Sequence, residues 1–309
     1  MLQFAKNIAV GMAICIGLHA CPFGLSSTSA HTSIPFRTVN GYILVVNVSV
    51  NGRGSYDFML DTGTNTSLIE PDLIASLGVR PVDRITLSTL TVSAPLPRYF
   101  LESISLGGVD MHHVEVLGQS LSALRGPDRR IRGVLGLSAL REFSFQIDNV
   151  HKRFDLLTDE EVSRFKNQNR VLVEIAQDRI LVPVTARAAP GSTWKLMLDS
   201  GVSQVFLLEQ RILNTGSVSS GRKQSAQFPG ATGAAAITRV TTNLSEGSAA
   251  TLKIDSLEVG PVRFSHLPVV VVGAKMLSPP PGADGLLPVS LFRLILFDRT
   301  TSSIFLEAN

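Results

Sequence analysis

The feature that most constrains this chain is an acidic turn at the end of an apolar run, which occurs twice. Phe58–Gly63 reads FMLDTG, and Leu196–Gly201 reads LMLDSG. An ionised side chain at the end of a buried segment is costly unless hydrogen-bond donors surround it. Because the same costly arrangement recurs in matched surroundings, the sequence predicts a shared task for Asp61 and Asp199.

The similarity between the two regions continues on both sides of the acidic turns. The apolar segment Ile43–Val48 precedes Asp61 at the same distance as Leu181–Ala186 precedes Asp199. Further on, the stretches GVLGLSAL and GLLPVSL each lead to an apolar segment that ends in an aspartate. Repetition over this length predicts that the chain consists of two homologous halves.

With Asp-Thr-Gly, Asp-Ser-Gly and a hydrophobic-hydrophobic-Gly element that ends at Gly136, the sequence resembles the aspartic peptidases. The nearest type is the bacterial retropepsin-like group, here with both lobes in one chain. The resemblance covers nearly the whole mature chain. It implies that Asp61 and Asp199 are the catalytic pair of an endopeptidase, which hydrolyses peptide bonds with a water activated between two carboxylates and uses no cofactor or metal.

The residues around the two aspartates have supporting roles in this interpretation. They are Thr62, Gly63, Thr64, Ser200 and Gly201. The hydroxyl residues directly after the aspartates resemble the family's pair that locks the two loops together. The glycines allow the turns to approach closely and offer N–H groups to the carboxylates. Thr64 adds a hydroxyl that is expected to hydrogen-bond Asp61 and hold its pKa down.

Two departures from the family pattern lie in the second half. Val202 stands where the first half has Thr64, so Asp199 lacks that donor and is expected to keep the shared proton while Asp61 acts as base. Pro288 stands where the first half has Gly136, and proline has no N–H. These departures leave one alternative open, a catalytically inactive, aspartic-peptidase-like peptide-binding protein of the cell envelope. A third interpretation is an interaction scaffold or lipoprotein with no cleft function.

The composition is that of an ordinary folded protein, with 309 residues, 44% hydrophobic residues and a formal charge of +3. No run of like charges is long enough to predict a nucleic-acid partner. Short runs of β-branched and aliphatic residues, separated by Gly and Pro, predict an all-β fold. With the resemblance, we expect two closed β-barrel lobes, residues 34–157 and 171–309, joined by a linker at 158–170 and with the cleft between them.

In the family, the interval from Ile85 to Tyr99 carries the flap, a hairpin that closes over substrate. Tyr99 is therefore a candidate substrate-binding aromatic residue, and the alternative is that it packs at a strand end. In the second half, the Gly- and Ala-rich stretch Phe228–Ile237 predicts a second flap or a mobile loop, since glycine lowers the cost of unusual backbone angles.

Two other polar clusters in the sequence are weighed as metal or ligand sites. The adjacent His112 and His113 would point to opposite faces of a strand, so they are poor candidates for joint metal ligation. The segment Arg125–Arg132 is a basic, turn-rich loop just before the hydrophobic-hydrophobic-Gly element. A solvated loop is the simplest interpretation, and contact with acidic ligands is the alternative.

The first thirty residues predict an export signal, because Lys6 is their only Lys, Arg, Asp or Glu and the apolar run Ile8–Leu18 is followed by small residues. Cleavage after Ala30 would release a soluble protein. Lipid attachment at Cys21 or retention of the segment as an anchor would tether it to a membrane. We expect a bacterial periplasmic or cell-envelope protein that acts as a monomer on a peptide or protein substrate.

Overall fold

The computed structural model describes residues 32–41, 43–88, 93–165, 170–186, 193–208, 231–241, 246–272 and 282–308. The predicted export signal, with Cys21 and Ala30, lies outside the described residues. Across the ranges that are described, no helix is both long and apolar enough to cross a bilayer. The chain from residue 31 onward forms one compact unit.

The described chain consists mostly of strands, which confirms the all-β prediction. The strands of the first half are β1 (Thr32–Pro35), β2 (Arg37–Val39), β3 (Ile43–Val50), β4 (Arg53–Asp61), β5 (Ser67–Ile69), β6 (Asp83–Ser88), β7 (Ser93–Leu106), β8 (Val109–Gly118), β9 (Ile131–Gly136), β10 (Ser144–Asp148) and β11 (Arg153–Leu157). Those of the second half are β12 (Arg170–Leu172), β13 (Glu174–Ala176), β14 (Arg179–Ala186), β15 (Thr193–Asp199), β16 (Val205–Leu208), β17 (Ala231–Thr241), β18 (Glu246–Val259), β19 (Val262–Val272), β20 (Gly285–Pro288), β21 (Phe292–Asp298) and β22 (Ser303–Ala308). The helices are short: α1 (Pro71–Leu77), α2 (Ser122–Arg125), α3 (Leu137–Leu140), α4 (Asp159–Ser163) and a 3₁₀ turn at Val289–Leu291.

Each half forms a closed six-stranded barrel. In the first, the order β3-β4-β9-β5-β8-β7 closes on itself because β3 also pairs with β7. In the second, β14-β15-β20-β16-β19-β18 closes in the same way through β14 and β18. The strands β2 and β6 extend the first barrel, and β13 and β17 extend the second. The predicted pair of barrel lobes is confirmed, and the two share one topology strand for strand.

In each barrel a late strand is inserted between two early ones, and this insertion positions the acidic turn. The strand β9 lies between β4 and β5, parallel to β4, with Asp61 opposite Gly136. Likewise β20 lies beside β15, with Asp199 opposite Pro288. Phe58–Leu60 is buried at every position. This burial on both faces of the strand explains why the sequence there is a continuous apolar run. Asp61 and Asp199 therefore lie at equivalent positions, at the ends of β4 and β15.

A six-stranded sheet, in the order β1-β11-β10-β21-β22-β12, joins the two lobes. Its centre is the antiparallel pair β10–β21, where Phe145 lies opposite Phe297 and Ile147 lies opposite Ile295. The ring of Phe145 is 5.3 Å from that of Phe297 and 5.7 Å from that of Phe154. These side chains are buried. The sheet draws strands from both halves and fixes the lobes against each other.

The interval predicted to contain a flap forms the hairpin β6–β7, whose tip at residues 89–92 lies outside the described residues. Its counterpart in the second lobe is the hairpin β17–β18. Of the two alternatives predicted for 228–237, the structure agrees with a second flap-like hairpin rather than a loop, since residues 231–237 belong to β17, and 228–230 lie outside the described residues. A register shift between Thr232 and Ala236 accommodates the Gly- and Ala-rich sequence within the strand.

The charged segment between the lobes contains α4 and leads into β12. Thr158 caps this helix, since its hydroxyl accepts a hydrogen bond from the Glu161 N–H while the Glu161 carboxylate accepts one from the Thr158 N–H at 2.9 Å. This reciprocal capping stabilises a helix of only five residues. Residues 166–169 lie outside the described residues.

Candidate active site

The carboxyl groups of Asp61 and Asp199 lie close together where the two acidic turns meet, because a Cβ placed on Gly201 would be 3.1 Å from Asp199 Oδ1 and 3.2 Å from Asp61 Oδ1. Each carboxyl group also accepts a hydrogen bond from its own turn, Asp61 from the Gly63 N–H at 2.9 Å and Asp199 from the Gly201 N–H at 2.6 Å. Asp199 is only 7% exposed. The structure thus brings the two aspartates of the duplicated motif into one site.

Thr62 and Ser200 hold the two turns together by reciprocal hydrogen bonds. The Thr62 N–H donates to Ser200 Oγ at 3.0 Å, and the Ser200 N–H donates to Thr62 Oγ1 at 3.0 Å. The two hydroxyls in turn donate across the interface, Thr62 to the Leu198 carbonyl at 3.0 Å and Ser200 to the Leu60 carbonyl at 2.8 Å. Both side chains are buried, so water does not compete for these bonds. The turns are fixed relative to each other.

The two turn glycines have different surroundings. A Cβ at Gly63 would lie 2.6 Å from Asp199 Oδ1 and would overlap the rest of that carboxyl group. A Cβ at Gly201 would lie 3.0 Å from Met59 Cε and 3.2 Å from Asp61 Oδ1. The turn of the first lobe therefore rests directly on Asp199, whereas the turn of the second lobe leaves more space at Asp61. This asymmetry explains why Asp199 is the more deeply buried acid.

Burial and mutual repulsion separate the proton affinities of the pair. Desolvation raises the pKa of Asp61, and hydrogen bonds from Gly63 and from Asp199 partly oppose that rise. The pKa of Asp199 is raised further, first by burial and then by the negative charge of Asp61. Two carboxyl groups in contact cannot both ionise readily, so they share one proton. The larger rise at Asp199 favours Asp199 as the holder of the shared proton and Asp61 as the ionised member.

The Thr64 hydroxyl has a different partner from the one predicted. It donates to the Thr66 carbonyl at 3.1 Å and accepts a hydrogen bond from the Thr66 N–H at 3.2 Å. Its single proton is therefore not available to Asp61, because a threonine side chain readily bonds to nearby backbone. The expectation that Asp61 is the base keeps its support, but the donor that favours ionised Asp61 is Asp199 rather than Thr64.

Pro288 in the second lobe, which has no N–H, does not leave a side-chain acceptor without its donor. In the first lobe, the Gly136 N–H donates to Ser67 Oγ at 3.1 Å, and a Cβ on Gly136 would lie only 2.6 Å from the Thr66 carbonyl oxygen. In the second lobe the counterpart of Ser67 is Val205, which has no hydroxyl to accept a hydrogen bond. Donor and acceptor are absent together, a change that can be nearly neutral. Sequence reasoning missed this compensation, although aligning the two halves pairs Ser67 with Val205.

Tyr99 lies at the base of the β6–β7 hairpin, at the end opposite its tip. It pairs with Val116 on β8 and packs, partly buried, against the core of the first lobe. A Cβ at Gly118 would lie 2.9 Å from its ring, so that glycine provides the space that the ring occupies. The structure does not bring Tyr99 to the acidic turns, and its contacts correspond to the packing alternative.

The two histidines project from β8 and are both exposed. His113 has a left-handed backbone, with φ of 52°, and its ring stacks on Phe100 at 4.5 Å. In the parts of the chain that the structure covers, no three His, Cys, Asp or Glu side chains are arranged to hold a metal ion.

Three of the four arginines in the basic loop before β9 are paired with acids of the described chain. Its ion pairs are Arg125 with Glu70 at 3.5 Å, Arg130 with Asp128 at 3.1 Å and Arg132 with Asp72 at 2.8 Å. The hydrogen bond from Arg130 is the largest contribution that lowers the pKa of Asp128 to about 2. These arginines are neutralised locally, which favours the structural interpretation of this loop over binding of acidic ligands.

With this geometry, the chain can be compared with known families. A family model described as "Aspartyl protease" matches residues 46–139, which include Asp61 and Gly136. The first lobe matches the aspartyl proteases. The match supports an aspartic protease family and an aspartic-type hydrolase, and it ends before the second lobe, where the contribution of Asp199 rests on the contacts described above. A search of curated protein sequences gave no match.

Proposed function

We propose that the protein is an aspartic endopeptidase in which Asp61 and Asp199 activate a water molecule for attack on a peptide bond. The observation that carries this proposal is the meeting of the two carboxyl groups beside one turn, since a Cβ on Gly201 would lie 3.1 Å from Asp199 Oδ1 and 3.2 Å from Asp61 Oδ1, in turns that the Thr62–Ser200 bonds hold together. The family match over the first lobe supports the same activity.

The reaction follows from the separated proton affinities. Ionised Asp61 takes a proton from water, whose oxygen attacks the peptide carbonyl carbon, while Asp199 gives its proton to the carbonyl oxygen. The resulting tetrahedral diol collapses as the C–N bond breaks. The proton held by Asp61 passes to the leaving nitrogen, and Asp199 recovers a proton from the diol. No covalent enzyme intermediate is formed, and the pair returns to its starting state.

The inactive peptide-binding protein remains the second candidate, and the two departures that motivated it are accommodated in the structure. Pro288 has no orphaned acceptor opposite it, because Val205 replaces Ser67. Val202 is partly buried and packs against a small apolar cluster that includes Leu181 and Met197. Neither departure removes the N–H donation to Asp199, so the contacts favour the peptidase.

The setting of this activity is part of the proposal. The substrate class is an unstructured peptide or protein segment, because a peptide must be extended to enter a cleft between two lobes. The N-terminal sequence favours export to a bacterial periplasm or cell envelope, with a membrane tether through Cys21 as the lipid-anchored variant. Because both aspartates lie in one chain, we propose that a monomer suffices.

The pH dependence of cleavage tests this proposal. With an unstructured protein as substrate, we expect a bell-shaped dependence of the cleavage rate on pH. Below the optimum, protonation of Asp61 removes the base. Above it, ionisation of Asp199 removes the acid, and because the pKa of both groups is raised, the optimum should lie above the usual carboxyl range. Binding of the substrate without cleavage at any pH would instead favour the peptide-binding protein.

A further inference from the structure

Arg179 lies at the active-site end of the second lobe. It begins β14 directly after the two-residue turn Gln177–Asp178, whose residues have φ of 49° and 58°. The register of β14 against β15 places Leu181 opposite Met197. Arg179 and Asp199 therefore lie at the same end of this ladder, each two residues beyond that pair. Arg179 therefore begins its strand at the end of the lobe that carries Asp199 rather than at the remote end.

The guanidinium also reaches the other lobe. Its Nη2 is 3.4 Å from Oδ1 of Asn65, which lies in the same turn as Gly63. Asn65 completes the link by donating from Nδ2 to the Gln177 carbonyl at 3.2 Å. The hairpin turn of the second lobe thus contacts the turn that follows Asp61, and Arg179 lies where the two lobes meet.

The charge of Arg179 is poorly compensated. Its contacts are to neutral amide oxygens, with Nη1 3.3 Å from Oε1 of Gln177, and its buried Nε has no hydrogen-bond partner. Burial lowers the pKa of Arg179, and the nearby charge of Asp178 opposes this only in part. Over the described ranges, no carboxylate lies within ion-pair distance of it. A partly buried guanidinium remains charged, so it favours a carboxylate that the protein itself does not supply.

The first lobe has no equivalent of this arrangement. Gly41 occupies the position matching Arg179, and Ser203 occupies the position matching Asn65. The two ends of the site therefore differ in charge. We propose that Arg179 is a specificity-determining residue that binds a carboxylate of the peptide substrate on one side of the scissile bond. This inference rests on the proposed peptidase function and adds to it a preference for acidic peptides.

The preference can be measured with pairs of peptides that differ only by Glu in place of Gln at successive positions around the scissile bond. The peptides carry C-terminal amides, and a matching set with free C-termini tests whether the recognised carboxylate is the chain end instead. We expect kcat/KM to be about tenfold higher for Glu than for Gln at one position, because charge-assisted hydrogen bonds are about twice as strong as neutral ones. Equal values at every position, together with no effect of the free C-terminus, would overturn the proposal.

Two variants should abolish this preference by different routes. Arg179→Met removes the charge and keeps an unbranched side chain, so the Glu/Gln ratio should fall to about one. Asn65→Asp leaves Arg179 in place but sets a carboxylate beside Nη2, so the internal ion pair should also reduce the ratio to about one. Arg179→Lys keeps the charge and should retain part of the preference. If Arg179→Met does not fold, the other two variants decide, and a ratio unchanged in Asn65→Asp would contradict the proposal.

A binding experiment separates failure of this inference from failure of the peptidase proposal. Calorimetric titration of the Glu and Gln peptides into Asp199→Asn measures selectivity without turnover. Selective binding together with no cleavage by the wild type would contradict the peptidase and support the Arg179 site. Cleavage without a Glu preference would support the peptidase and contradict the Arg179 site. If the protein neither cleaves nor binds the peptides, both proposals are contradicted.

Discussion

The two glycines of the acidic turns occupy equivalent sequence positions, but the space around them differs. Gly63 provides the space for the Asp199 carboxyl group, which any Cβ would overlap. Gly201 faces the flexible end of Met59 and an Asp61 oxygen at 3.2 Å, which a small shift can accommodate. At the scale of single residues, therefore, a site built from a repeated motif is not symmetric, and the more buried acid, Asp199, is the one favoured to keep the shared proton.

The matched substitutions Gly63→Ala and Gly201→Ala test this asymmetry. We expect Gly63→Ala to lower kcat/KM by about 100-fold or more, since displacing a catalytic group by about 1 Å can cost that much. Gly201→Ala should lower it by less than about tenfold, because its Cβ would be less crowded, 3.0 Å from Met59 Cε and 3.1–3.2 Å from the Oδ1 atoms of Asp199 and Asp61, and small shifts can relieve these contacts. Peptide cleavage and thermal unfolding measured on both variants would give the answer, and equal losses would speak against the asymmetric packing.

The inserted strands β9 and β20 show how one element can be satisfied in two ways. In the first lobe a buried hydrogen bond joins Gly136 to Ser67, whereas in the second lobe Pro288 and Val205 replace both partners with apolar groups. Either solution avoids an unpaired buried polar group, which is the costly outcome. The strand keeps its place beside the acidic turn in both lobes.

Replacing Ser67 by valine and by threonine distinguishes the hydrogen bond from simple packing, because the two new side chains have nearly the same shape. Ser67→Val should lower the free energy of unfolding by about 1–3 kcal/mol more than Ser67→Thr, since it leaves the Gly136 N–H without an acceptor. Urea denaturation of both variants measures the difference. Equal stabilities would show that the Gly136–Ser67 bond contributes nothing.

The sequence predicts the parts of the site that depend on covalent order and repetition. The duplicated FMLDTG and LMLDSG segments predict the paired aspartates, and the apolar runs before them predict the barrel strands. It does not predict the partner of the Thr64 hydroxyl, because a nearby backbone acceptor competes with the carboxylate at short range. The contact of Arg179 with Asn65 and the packing of Tyr99 depend on strand register and on the approach of the lobes, which no local pattern encodes.

At the scale of the whole molecule, the six-stranded sheet and the Thr62–Ser200 bonds both hold the two lobes in a fixed arrangement. The sheet pairs β10 with β21 through buried aromatic and aliphatic side chains, which holds the two barrels together within one chain. The hydroxyl bonds then set the two acidic turns against each other at the interface. Each lobe contributes one acid, so neither lobe alone contains a complete dyad.

The central claim, that Asp61 and Asp199 act as one catalytic unit, is tested most directly by a double-mutant cycle. Asp61→Asn, Asp199→Asn and the double variant retain acceptors for the turn N–H groups and should fold, which circular dichroism can verify. Because neither acid works without the other, we predict that all three lose a similar amount of activity, at least about a thousandfold in kcat/KM. Losses that multiply in the double variant, or a single variant that keeps more than about a tenth of the wild-type rate, would contradict a shared dyad.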